Sequence, residues 1–225
     1  MNSPILEVKG ISKTFGSIKA LDSVDFYLQK GIVHGLLGEN GAGKSSLMNV
    51  LSGIYIPESG SIKINNQKIE KMSPDIAASF GIGMVHQEFR LIESFTIKDN
   101  LTLSKASIFN DNFKEAYDKY SEIFALNSNY LTPVNELSVG EKQKVEIMKL
   151  IFKNSQIMLL DEPTAVLTPQ ETLQLKGSLE KLSQEDEKTI VLITHKLKEI
   201  KDFTERIFVM KNGKMVADNL ETRKV

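Results

Sequence analysis

Ile32-Val-His-Gly-Leu-Leu37 runs directly into Gly38-Glu39-Asn40-Gly41-Ala42-Gly43-Lys44-Ser45, and Ser46–Leu51 can continue as a helix. An apolar strand, a glycine-rich loop of the form G-x-x-x-x-G-K-S and a helix make the order a phosphate-binding loop needs. Glycines let backbone N–H groups converge on phosphate oxygens without side-chain obstruction. The following helix offers the positive end of its dipole. Lys44 is expected to reach the β- and γ-phosphates, and the Ser45 hydroxyl to bind Mg²⁺. The plainer alternative is a glycine-rich turn. That pattern arises by chance in roughly 1% of chains this long, and the strand before it makes chance rarer still. The loop therefore reads as a nucleoside triphosphate cradle.

Outward from the loop, Ile5–Val8, Val24–Leu28, Ser61–Ile64 and Ile82–His86 read as strands. Past Glu88 the texture turns helical: Phe113, Ala116, Tyr117, Tyr120, Ile123 and Phe124 recur at helical spacing. Strand-like runs return at Ile157–Leu160 and Thr189–Ile193, each leading towards a helix. Ile207–Met210 and Lys214–Ala217 flank Asn212-Gly213, a hairpin signal. The alternation predicts an α/β fold with a mostly parallel sheet. The expected organisation is one domain over 1–225, its core formed by 1–87 and 156–225, with a helical insert over 88–155.

Composition narrows the class. The 225 residues carry 28 Lys and Arg against 29 Asp and Glu, a formal net charge of -1, so no global basic field draws the chain to nucleic acid. There is no cysteine, which excludes disulfides and thiolate metal sites. The opening Met-Asn-Ser-Pro-Ile-Leu-Glu-Val lacks a basic segment followed by an apolar stretch, so no signal peptide is expected. No run approaches the roughly 18 apolar residues of a membrane span; a membrane role would come through a partner.

Two further segments carry chemistry. Ile157-Met-Leu-Leu160 leads into Asp161-Glu162-Pro163-Thr164. A buried strand ending in a carboxylate points that charge at the sheet's C-terminal edge, where ligands bind in open α/β sheets. Asp161 would help hold the metal through its water shell, and Glu162 could polarise an attacking water as general base. Alone, the acidic pair fits a solvated turn equally well; beside a phosphate loop it supplies the metal and oriented water that triphosphate chemistry needs. Leu137-Ser-Val-Gly-Glu141 is the second segment. Ser138 with Glu141 three residues on is a capping box, so a helix begins there and presents its N-terminus to an anion. Ser138 as a plain helix cap is compatible with both readings.

With this segment, nearly the whole chain resembles the ATP-binding domain of ABC transporters, in that family's motif order. The fold this implies is the P-loop NTPase class, a mostly parallel sheet core with an antiparallel β subdomain and an inserted helical subdomain. The resemblance implies an ATP-binding set of Phe15, Gly38, Glu39, Asn40, Gly41, Ala42, Gly43, Lys44, Ser45, Ser46 and Gln87. Phe15 would stack on adenine, although it also fits a core or surface aromatic. Gln87 would ligate Mg²⁺ or sense nucleotide for the insert, so the metal set is Ser45, Gln87 and Asp161. Lys44, Glu162 and His195 would be catalytic, His195 as the switch histidine at the γ-phosphate. His34 and His86 match no role and read as structural. Ser138, Val139, Gly140 and Glu141 would meet the γ-phosphate held by an opposing domain, which implies a head-to-tail pair with two ATP molecules between.

Several positions depart from the family pattern. Val139 stands for the usual glycine, Glu141 for glutamine, Lys144 for arginine, and Thr168 for the aspartate that ends the Ala165-Val-Leu-Thr168 loop. Lys144 loses the planar fork of arginine. Thr168-Pro169-Gln170-Glu171 is still a good helix start. These departures resemble the sugar and nucleoside uptake branch, in which two such domains stand in tandem; the chain resembles the N-terminal half. That implies an ATPase powering import, at the cytoplasmic face of the membrane as a peripheral subunit. Its implied partners are transmembrane permease subunits, a substrate-binding protein and a second ATP-binding domain, with no nucleic acid. The competing readings are a non-transport ABC ATPase and a low-turnover regulatory module. No long insertion separates Ser45 from Leu137, against a chromosome-type relative, and Val139 with Thr168 motivates the low-turnover reading.

Overall fold

The computed structural model describes residues 3–103 and 112–222. The apolar run before the phosphate loop becomes β3 (Val33–Leu37), a central strand of a six-stranded sheet. Beside it lie β8 (Thr189–Thr194) and β9 (Arg206–Lys211), and beyond β8 come β7 (Ile157–Asp161) and β6 (Ile82–Val85). All of these neighbours pair in parallel. The inner strands are apolar almost throughout because both faces are covered. The edge strand β10 (Lys214–Glu221) pairs antiparallel with β9 through the predicted hairpin. Asn212 and Gly213 have φ of 49° and 76°, the left-handed pair that such a turn requires.

A second, antiparallel sheet has the order β2-β1-β4-β5. Its first strands are much longer than the sequence predicts: β1 spans Leu6–Phe15 and β2 spans Ile18–Leu28. Gly10 hides the extension. It sits at φ 62°, the pairing register shifts between Val8 and Ile11, and the Gly10 N–H donates to Asp25 Oδ1 at 2.7 Å. This irregularity breaks the alternation on which strand prediction relies. β4 (Ser59–Ile64) and β5 (Gln67–Ile69) complete the sheet.

The helices are α1 (Lys44–Leu51), α2 (Pro74–Ser79), α3 (Ile97–Thr102), α4 (Phe113–Phe124), α5 (Val139–Phe152), α6 (Pro169–Gln184) and α7 (Leu197–Phe203). Between β6 and β7 the regular elements among the described residues are helices, including a 3₁₀ turn at Val134–Glu136, with one isolated antiparallel bridge between Thr96 and Pro133. Residues 104–111 of the expected insert lie outside the described residues. α4 buries Phe113, Ala116, Tyr117, Tyr120 and Phe124, the stripe its spacing predicts. α2 and α3 are six residues each and escaped prediction, too short for a clear period.

The main sheet divides two apolar cores. On β7, Met158 and Leu160 face a cluster built with α3 to α6, whereas Ile157 and Leu159 face a cluster built with α1 and the antiparallel sheet. That two-residue alternation clamps β7 from both sides. Each fully buried leucine or phenylalanine there contributes about 1.5–3 kcal/mol. The C-terminal ends of β3, β7 and β8 are thereby fixed side by side.

Candidate active site

Gly43 precedes α1 at φ 103°, and a Cβ there would lie 2.5 Å from the Ala20 carbonyl oxygen. Only glycine fits that position. Gly41, at φ 80°, faces open space instead, so its backbone is left uncovered. Lys44 Nζ donates to the carbonyls of Gly38 at 2.7 Å and Glu39 at 2.9 Å, folding the ammonium back over its own loop. Burial lowers its pKa, opposed by the charges of Glu162 and Asp161.

β7 delivers the carboxylates. Ser45 Oγ donates to Asp161 Oδ2 at 3.1 Å. Burial pushes the Asp161 carboxyl up; the Glu162 charge adds to this, and the Ser45 hydrogen bond and Lys44 act against it. Glu162 adopts φ 48°, a left-handed backbone uncommon for a non-glycine residue, and its N–H donates to Ile193 O at 2.9 Å. The turn aims its side chain at the residue following β8: Glu162 Oε1 lies 2.6 Å from His195 Nδ1. Both can reach a ligand, since neither side chain is buried.

A cavity of ≈ 690 Å³ lies over these groups, lined by Asn40, Gly41, Gly43, Lys44, Ser45, Ser46, Gln87, Asp161 and Glu162. Its remaining wall is Ile18, Lys19 and Ala20 of β2 with the Asn212–Gly213 turn. Sequence reasoning missed that wall. The Asn-Gly signal located the turn, but only the fold brings it against β2, where Asp22 N–H donates to Gly213 O at 2.8 Å. Gly38, Glu39 and Ala42 line a second cavity of ≈ 330 Å³ behind the loop, together with His195 and Leu197. Phe15 lines neither. It is 41% exposed, and its ring meets Tyr55 edge-on at 5.0 Å.

Among the described residues no three His, Cys, Asp or Glu side chains gather as a metal-binding cluster. The Ser45–Asp161 pair supplies one hydroxyl and one carboxylate, both hard oxygen donors. That set fits Mg²⁺, which keeps several waters and takes its other ligands from phosphates.

Ser138, Val139, Gly140 and Glu141 do not line the Lys44 cavity. They form the start of α5, where Ser138 and Glu141 make the predicted capping box. The Ser138 N–H donates to Glu141 Oε2 at 2.9 Å, and Ser128 Oγ donates to Oε1 at 2.5 Å. Burial pushes the Glu141 carboxyl up, but these serine hydrogen bonds outweigh it and hold the group below the usual range. Its charge is thus spent within its own helix start. Val139 is 49% exposed.

Phosphate loop, carboxylate pair, histidine and outward-facing helix start together define an ATP-binding cassette. The ABC transporter family model matches residues 21–165, and the chain belongs to that family. Among its relatives, the nucleoside import ATP-binding protein NupA of Lactococcus lactis subsp. cremoris is 41% identical over 220 residues, covering 96% of this chain and 43% of that protein. The galactose/methyl galactoside import ATP-binding protein MglA of Clostridium perfringens is 41% identical over 222 residues, with coverages of 96% and 43%. The chain spans about half the length of these curated relatives. A nucleotide-free ATP-binding cassette from an ABC transporter superposes with a TM-score of 0.86 at 26% identity, covering 99% of this chain and 94% of that one. The dimeric bacterial ABC transporter cassette MJ0796 gives 0.84 at 27%, with coverages of 97% and 99%. The structural likeness bears out the α/β, P-loop NTPase fold. No described helix is long and apolar enough to cross a membrane.

Proposed function

We propose that this chain is an ATP-hydrolysing motor domain of an importer, for nucleosides or simple sugars. The observation that carries the reading is the convergence of Lys44, Ser45, Asp161, Glu162 and Gln87 on one cavity, with His195 held 2.6 Å from Glu162. The relatives that NupA and MglA represent support the import function and both substrate classes. The chain divides as a core of 1–87 and 156–225 around a helical insert of 88–155.

Binding begins when phosphate oxygens replace the Gly38 and Glu39 carbonyls as partners of Lys44. The backbone N–H groups of Gly41 to Ser46 and the start of α1 then face the anion. Ser45, Asp161 and Gln87 would hold Mg²⁺, which supplies charge neutralisation at the β- and γ-phosphates. Glu162 orients the attacking water and takes its proton. His195 keeps the Glu162 carboxylate in place and faces the γ-phosphate. Phe15 serves the adenine after its ring turns from Tyr55.

The signature segment Ser138–Glu141 does not line this cavity, which supports its service to an opposing ATP-binding domain. The relatives' greater length supports placing that domain in the C-terminal half of the same protein. Transmembrane permease subunits and a substrate-binding protein complete the assembly, with this chain peripheral at the cytoplasmic face. The surface near Gln87–Phe89, with the adjoining cavity lined by His86, Arg90, Glu146, Lys149 and Lys153, is where the insert would signal to them. Labelled nucleoside and sugar uptake, with and without the permease genes, tests the import reading; uptake unaffected by their deletion would overturn it. The exposed Val139 and uncharged Thr168 favour a second reading, a low-turnover nucleotide sensor. The turnover of the complete assembly separates the two.

A further inference from the structure

Gly140 has a neighbour that its motif does not explain. A Cβ on Gly140 would fall 2.1 Å from Glu171 Oε1 and 2.8 Å from Glu171 Cδ. The start of α5 and the carboxylate of α6 therefore meet so closely that a side chain at position 140 would push the Glu171 carboxylate aside. The other oxygen of that carboxylate is committed elsewhere. Glu171 Oε2 accepts from the Thr168 N–H and from Thr168 Oγ1, both at 2.8 Å. One side chain thus touches two segments: the signature turn at Gly140 and the end of the loop running from Glu162 to Thr168.

That loop is short and internally bonded. Ala165 N–H donates to Glu162 O at 3.0 Å, and Leu167 N–H to Thr164 O at 3.2 Å. Two overlapping turns thus link Glu162 to the residue before the Thr168 cap. The signature side is equally tied. Lys142 N–H donates to Ser138 O at 2.9 Å, and Glu141 binds Ser138 and Ser128. Lys144, buried one turn along α5 and donating to Ala125 O at 2.9 Å, places its charge near both glutamates. Two acidic helix starts are thereby held together across a buried cation.

We propose that Glu171 is a positioning residue that couples the Glu162–Thr168 loop to the signature turn Ser138–Glu141. The contact stands on geometry alone; its role in coupling rests on the functional reading above. On that reading the loop belongs to the site on this chain and the signature to the opposing one. Glu171 then carries the state of one nucleotide site to the other.

Two experiments on the 225-residue chain test this. A double-mutant cycle of Gly140→Ala and Glu171→Ala on the unfolding midpoint needs no ligand. The Gly140→Ala loss should shrink once Glu171 is gone; strictly additive losses would overturn the contact. The second measures amide hydrogen exchange at Glu141 and Lys142, with and without Mg-ATP, in a Glu162→Gln background. ATP should change the exchange rate there about tenfold. Glu171→Ala should abolish that response while ATP affinity stays the same, and Glu171→Gln, which keeps length and an acceptor, should retain it. An unchanged response in Glu171→Ala, or none in the parent despite ATP binding, overturns the coupling. Failure of the chain to bind ATP would sink the functional reading instead, and the cycle would still judge the contact.

Discussion

The Glu162 carboxylate reaches His195 at 2.6 Å only because its own backbone turns left-handed after β7. If it is the general base, Glu162→Gln should lower turnover of the complete assembly about 100- to 10,000-fold while ATP binding persists; equal rates for variant and parent would remove Glu162 from that role. A second residue sets a pH limit. His34 is fully buried in β3, its Nε2 accepts the Gln29 N–H at 3.1 Å, and burial lowers its pKa from 6.5 to about 4. The folded state holds this ring neutral, so its contribution is complete above about pH 6.5 and is lost as pH falls towards 4. That difference amounts to about 3 kcal/mol. Urea unfolding at neutral and acid pH should show a smaller acid loss in His34→Gln than in the parent. Loops that keep their chemistry contiguous, such as Gly38–Ser45 and Asp161–Glu162, are legible in sequence. The Glu162–His195 contact and the turning of Phe15 towards Tyr55 are not, because each joins residues from separate elements.

Elements explain why some glycines and caps are fixed. Gly43→Ala places a Cβ against the Ala20 carbonyl at a φ of 103°. It should destabilise the fold and abolish ATP binding, which calorimetric titration would show; wild-type affinity would mean that the loop relaxes freely. The Thr168 cap closes α6 through Glu171, so Thr168→Ala should lose about 1 kcal/mol in denaturant unfolding. The capping boxes at Ser138 and Thr168 were readable from local spacing, as was the Asn212–Gly213 turn, whereas the third box, Thr96 with Asp99 at the start of the short α3, was missed. The full length of β1 and β2 was not, since Gly10 and the shifted register erase the alternation midway. The approach of Glu171 to Gly140 also left no local trace: the glycine looked like a motif letter until the fold set that side chain beside it.

At the scale of the molecule, the parallel sheet gathers Lys44, Asp161, Glu162 and His195 from β3, β7 and β8 at one edge. Ser138–Glu141, at the start of α5, take no part in the cavity there. On the proposed reading, a cassette built so would offer half of each of two sites; the family's dimeric relative MJ0796 is a paired cassette. The mostly parallel character of the sheet was anticipated by alternating strands and helices, whereas its strand order was not, and the β2 wall of the cavity required the antiparallel sheet to be docked in place. On the proposed reading the Lys44 cavity binds ATP unaided but hydrolyses it efficiently only when opposed. The direct measurement is steady-state ATP hydrolysis by this chain at saturating Mg-ATP, titrated with its opposing ATP-binding domain. Turnover should rise from near background to a plateau as the pair forms. Full turnover by the chain alone, unchanged by the added domain, would contradict the claim.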